Sequence, residues 1–128
     1  MNTPKQAVSY KTGEMIAAKF LVNNGYTIIC QNYRLRCGEI DIIVEKDQHL
    51  VFVEVKSRTS PYLNAALASV SYTKQKRISR TAQLYINQNP SYANHYFRFD
   101  VIVVNYCRMT ETYSVKHFED AFYFIEES

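Results

Sequence analysis

Asp41, Glu54 and Lys56 are the residues whose types and spacing invite chemistry. Asp41 lies in Gly38-Glu39-Ile40-Asp41-Ile42-Ile43-Val44-Glu45, and the other two lie in Leu50-Val51-Phe52-Val53-Glu54-Val55-Lys56. Both segments are rich in β-branched residues with polar positions alternating, and Lys46-Asp47-Gln48-His49 between them is polar, so an antiparallel hairpin is predicted. With those four residues as the loop, Glu45 faces Leu50, Ile43 faces Phe52, Asp41 faces Glu54 and Glu39 faces Lys56. Like charges opposed across a strand pair are destabilising, and an occupant is expected between them. Two hard carboxylates with room for water suit Mg²⁺, or Mn²⁺ in its place. Lys56 follows Glu54 on the same face, roughly 7 Å along the strand.

The flanking elements must position this group. Residues 6–24 read as an amphipathic helix closed by Asn24-Gly25, with Thr12, Lys19 and Asn23 polar and Tyr10, Ala17, Ala18 and Leu21 nearly opposite. Glu14 falls on the apolar face, where a carboxylate needs a cation or donors; it is either satisfied near the helix start by the dipole or a lysine, or part of the acidic group. Residues 26–33 read as a first strand, followed by Arg34 and Arg36, which share one strand face and serve either as phosphate contacts or as a solvated edge. Arg58 continues the alternation of Lys56. Residues 61–71 contain a candidate short helix at 64–68 or a mobile loop. Ser71 or Thr73 then caps a helix running to about Asn89 with Ile78, Ala82, Tyr85 and Ile86 as its buried stripe. Its first turns carry Lys74, Lys76, Arg77 and Arg80, where the dipole disfavours cations; docked phosphates offset that cost, and the alternative is a solvated basic face. Residues 96–104 are an interior strand, in which Asp100 is expected to be a structural acid held by an arginine or a backbone donor. Residues 112–118 form the last strand, with Phe118, Ala121 and Phe122 sealing the core.

The set Gly38-Glu39-Ile40-Asp41 and Phe52-Val53-Glu54-Val55-Lys56 resembles the Asp...Glu-x-Lys core of restriction-endonuclease-like nucleases. More closely, the chain resembles the YraN family of small bacterial proteins, related in fold to archaeal-type Holliday junction resolvases. Gly13-Glu14, Gly25-Tyr26, Lys74-Gln75, Arg98-Phe99-Asp100-Val101, His117-Phe118 and Ala121-Phe122 extend the likeness over nearly the whole chain. Ile40 stands where many such nucleases have proline, and Cys37 where the family often has a second glycine; neither change removes a chemical group. The resemblance implies an α/β fold, a restriction-endonuclease-like mixed sheet of about five strands flanked by helices. It also implies a Mg²⁺-dependent endonuclease hydrolysing phosphodiester bonds in branched DNA. In that role Asp41 and Glu54 hold the metal with the Val55 backbone carbonyl, Glu14 supports them, Lys56 orients water or neutralises phosphate, and Gln75 belongs to the site. A junction resolvase cuts two strands symmetrically, which calls for a homodimer. The rival class is a DNA-binding or recruitment module that keeps the fold without turnover; a weaker third is an RNA or small-molecule hydrolase with the same metal site.

At 128 residues and 47% hydrophobic content, one domain spanning 1–128 is expected. The net charge of +3 points to nucleic acid only if concentrated on one face. The N-terminal residues lack an apolar signal core and no segment reaches membrane-span length, so a cytoplasmic protein without a membrane partner is expected. Three cysteines without Cys-x-x-Cys spacing and three scattered histidines argue for free thiols over a zinc site.

Overall fold

The computed structural model describes residues 10–59 and 68–126. Helix α1 (Tyr10–Asn23) leads to strands β1 (Thr27–Leu35), β2 (Gly38–Lys46) and β3 (His49–Thr59). Helix α2 (Tyr72–Gln88), a 3₁₀ turn (Pro90–Tyr92), β4 (Tyr96–Cys107) and β5 (Thr112–Phe122) complete the order. The strands form one mixed sheet in sequence order, antiparallel except for the parallel β3–β4 pair that α2 connects. This is the α/β arrangement, a mixed sheet of five strands flanked by helices, that the family resemblance implies. The proposed helix at 64–68 falls almost wholly outside the described residues, as do residues 6–9 of the first helix.

Period-two alternation divides the strands between two cores. Ala17 and Leu21 of α1 pack with Ile42, Val44, Val51, Val53, Val55, Ile102 and Val104. Ile78, Ala82, Tyr85 and Ile86 of α2 pack with Ile43, Leu50, Phe52, Phe99, Val101 and Val103 on the other face. Both helices thus bury the stripes their sequences present. α1 ends in a Schellman motif: Tyr26 N–H donates to the Leu21 carbonyl and Gly25 N–H to that of Val22, with Gly25 at φ 90°.

The hairpin keeps the predicted register from the turn to Ile42–Val53, with Glu45 opposite Leu50 and Ile43 opposite Phe52, but the predicted Asp41–Glu54 and Glu39–Lys56 pairs lie beyond the end of the ladder. Its loop is shorter than expected. Lys46 and His49 pair, leaving Asp47 and Gln48 at φ 51° and 65° as a two-residue turn whose left-handed residues match the twist of the strands. β1 runs on to Leu35, so Arg36 lies in the turn before β2 and does not share a strand face with Arg34. Ser71 is the N-cap of α2, its Oγ accepting from Lys74 N–H at 3.2 Å. Pro90 opens a 3₁₀ turn after the helix. Ala121 is exposed, and Phe122 fills the place expected for both. The cause is a β-bulge: Phe99 pairs with Phe122 but Val101 with Phe118, so β5 carries two extra residues there.

Asp100 sits opposite that bulge, fully buried. Arg98 donates to both its oxygens at 2.8 Å, Asp120 N–H donates to Oδ1 at 2.9 Å, and His117 Nε2 lies 2.6 Å from Oδ2. Arg98 also donates to the Tyr26 hydroxyl at 2.8 Å. Burial pushes the Asp100 carboxyl up, but the bonds from His117, Arg98 and Asp120 outweigh it and hold the pKa below the ordinary value. The structural role expected for Asp100 is the observed one, with His117 as an additional partner.

Candidate metal and nucleic-acid site

The β2–β3 ladder stops at Ile42–Val53, one position short of the two acids. There the alternation of β2 breaks, because Ile40 joins the α2-side core although Ile42, two residues on, belongs to the α1-side core. Asp41 takes over the pairing: its Oδ2 accepts from Val55 N–H at 2.8 Å. Glu54 lies beside it, and both residues are buried, at 3% and 5% exposure. They face a cleft of about 770 Å³ between β2, β3 and the first turns of α2, lined also by Arg34, Arg36, Lys74 and Arg77. Gly38 lets β2 start against α2. A Cβ there would come within 2.9 Å of Thr81 Oγ1 and 3.2 Å of the Arg77 carbonyl, so only glycine fits this approach.

The acid pair carries an electrostatic cost. Burial and then the neighbouring Asp41 push the Glu54 pKa up from 4.5 to about 7, while Lys74 pulls it back. Lys74 Nζ forms an ion pair with Glu54 Oε2. On β3 beyond the acids, the Lys56 ammonium donates to the Ser69 carbonyl, and burial followed by the charges of Arg58 and Lys74 lowers its pKa. Lys56 and Arg58 line an adjoining groove that also touches Val55, Ser71 and Lys74.

Among the described residues no group of three or more His, Cys, Asp or Glu side chains is arranged to hold a metal ion. Glu14 is buried on α1, as its wheel position implied, but it does not line the cleft. The two opposed carboxylates still fit a hard dication of the Mg²⁺ type, which takes one or two protein carboxylates and fills its remaining positions with water and substrate oxygens. Two buried acids in mutual repulsion, already drawing in one ammonium, are a donor set of that kind.

Because a rise of the Glu54 pKa makes the folded state bind a proton that the unfolded chain has released, stability should fall as pH rises from about 4.5 to about 7. The expected loss, measured by urea unfolding in chelator, is on the order of 3 kcal/mol relative to Glu54→Gln, whose curve lacks this step. Parallel curves for the two proteins would show that burial and Asp41 together do not raise the Glu54 pKa.

A family model described as an uncharacterised protein family, UPF0102, matches residues 13–104, a span holding the acid pair, Lys56, α2 and Asp100. A UPF0102 protein of Clostridium botulinum strain Loch Maree is 42% identical over 110 residues, covering 86% of this chain and 89% of the relative. One from Clostridium perfringens strain SM101 shows the same identity over the same coverage. The chain belongs to the UPF0102, or YraN, family.

In this UPF0102 protein the remaining cations separate into groups that their spacing did not reveal. Arg34 reaches Glu39 at 3.4 Å and, with Arg36 and Arg77, rims the cleft. Gln75 donates to the Val70 carbonyl at 2.8 Å and so fixes the backbone that leads into α2. Lys76 lies over the Tyr72 ring at 5.9 Å. Arg80 lines a different groove with Ser79, Gln83 and residues 124–126, so the four cations of α2 do not form one surface. Lys74 belongs to the acid pair, an assignment that the sequence signalled only through a cation three residues past the helix cap.

Proposed function

We propose that this protein is a Mg²⁺-dependent endonuclease that hydrolyses phosphodiester bonds in DNA, with branched DNA such as a Holliday junction as its substrate. The observation that carries the reading is the buried Asp41–Glu54 pair at the wall of a cleft rimmed by Arg34, Arg36 and Arg77. Those three guanidiniums suit phosphate oxygens, and such contacts place a duplex without reading its sequence. Asp41 and Glu54 would hold the ion, with the Val55 carbonyl as a further oxygen. When bound, Mg²⁺ or Mn²⁺ supplies charge stabilisation at the phosphate and lowers the pKa of a coordinated water. Asp41 keeps its Val55 hydrogen bond, which fixes the carboxylate before any ligand arrives. Lys56 would exchange the Ser69 carbonyl for a phosphate oxygen or the attacking water, as a point charge beside the acids. Paired cuts in a junction require two copies of the chain with their clefts facing one substrate.

One observation favours a second reading, a recruitment module that binds DNA without cutting it: Glu54 is ion-paired with Lys74. The two readings separate in a cleavage panel with Mg²⁺ or Mn²⁺ against four-way junction, flap, single-stranded and linear duplex DNA. The nuclease reading expects metal-dependent cutting of the junction or flap. Retained binding with no cutting of any DNA would leave the recruitment module. Either way, replacing Arg34, Arg36 and Arg77 by alanine should weaken affinity for all sequences and reduce the salt slope by about 2–3, because each phosphate contact contributes about 0.9. Replacing Lys76 and Arg80 should change both far less. Equal losses from the two sets, read by fluorescence anisotropy over a salt series, would place the DNA elsewhere.

A further inference from the structure

Lys74 occupies a position with two different surroundings. Its ammonium pairs with Glu54, whose side chain is 6% exposed, yet the lysine side chain itself is 51% exposed. It lines the acid-bearing cleft and also the adjoining groove, where Lys56 and Arg58 gather positive charge. The residue lies in the first turn of α2, where the dipole disfavours a cation, and its own N–H is tied down by Ser71. The backbone of this turn is therefore fixed, while the long, half-exposed side chain borders both the acids and the groove.

On the metal-dependent reading above, we propose that Lys74 is a resident counter-cation of the acid pair, evicted from Glu54 when a divalent ion binds and then available to a DNA phosphate in the adjoining groove. The same Glu54 oxygen cannot serve both cations at full strength, so lysine and metal compete for it. A phosphate that accepts the displaced ammonium relieves that competition. Metal and DNA thereby bind cooperatively, and by linkage each raises the affinity for the other by the same factor. A lysine with a purely structural role predicts the opposite sign: its removal would loosen the start of α2 and weaken every ligand of the cleft.

The test is calorimetric titration of Mn²⁺ into the parent protein, Lys74→Gln and Lys74→Arg at pH 7, each checked by thermal melt in chelator. Lys74→Gln removes the competitor and should bind Mn²⁺ about tenfold more tightly, within the usual range of such couplings. Lys74→Arg keeps the charge and should stay near the parent. Equal or weaker Mn²⁺ binding by a folded Lys74→Gln, with the parent binding normally, overturns the inference and leaves the metal site standing. If Lys74→Gln fails to fold, an Mn²⁺ affinity of the parent that does not fall when a neutral duplex analogue replaces DNA overturns the inference as well. Absence of Mn²⁺ binding in all three overturns the metal reading and the inference together.

Discussion

Asp41→Asn should lower junction cleavage by about a thousandfold or more, roughly 4 kcal/mol of transition-state stabilisation, while leaving the fold and the DNA affinity measured in chelator nearly intact. The asparagine keeps an oxygen that can accept from Val55 N–H, the hydrogen bond that closes the end of the β2–β3 ladder. It loses the charge that holds a dication. Asp41→Ala should be equally inactive but less stable, because it also strands the Val55 donor, at a cost of about 1–3 kcal/mol. Single-turnover kinetics with Mg²⁺, and anisotropy on the same junction in chelator, check the two halves of this expectation. Loss of affinity in parallel with loss of cutting would mean that Asp41 builds the cleft and has no part in chemistry.

The largest effect on stability is expected far from that cleft. Asp100→Ala should destabilise the protein by about 3–5 kcal/mol, since it leaves Arg98 and His117 without their shared anion in a site where Arg98 is 18% and His117 is 11% exposed. It also removes the acceptor for Asp120 N–H and so undoes the bulge of β5. The loss is a large fraction of the stability of a small domain. Urea unfolding at pH 7 measures it. Asp100→Asn, which keeps the shape and one acceptor, should lose less. A loss below about 1 kcal/mol for Asp100→Ala would show that the network orders side chains without supporting the fold.

Much of this architecture could be read from the sequence because the signals were local. Alternation in 38–45 and 50–56 set the register of the hairpin as far as Ile42–Val53, and both acids lie just past that point at the cleft. Asn24-Gly25 marked a helix end that the Schellman bonds then closed. Tertiary contacts were another matter. The approach of Gly38 to Thr81 and Arg77, at the start of the strand whose alternation breaks at Asp41, is a contact between elements well separated in the chain. The basic run of α2 looked like one face because spacing alone does not say which neighbour each cation meets; Lys74 meets Glu54, Lys76 meets Tyr72 and Arg80 lines a groove with residues 124–126. His117 gave no signal of its partnership, since Asp100 is reached only across a bulged strand pair. Among the described residues no helix is long and apolar enough to cross a membrane.

The proposed chemistry depends on a dication lying between the carboxylates of Asp41 and Glu54, and anomalous scattering from crystals grown with Mn²⁺ tests that claim most directly. The account predicts an anomalous peak in contact with both carboxylates, with the Lys74 ammonium moved off Glu54. Crystals saturated with Mn²⁺ that show no peak there, and Lys74 still paired with Glu54, would contradict it.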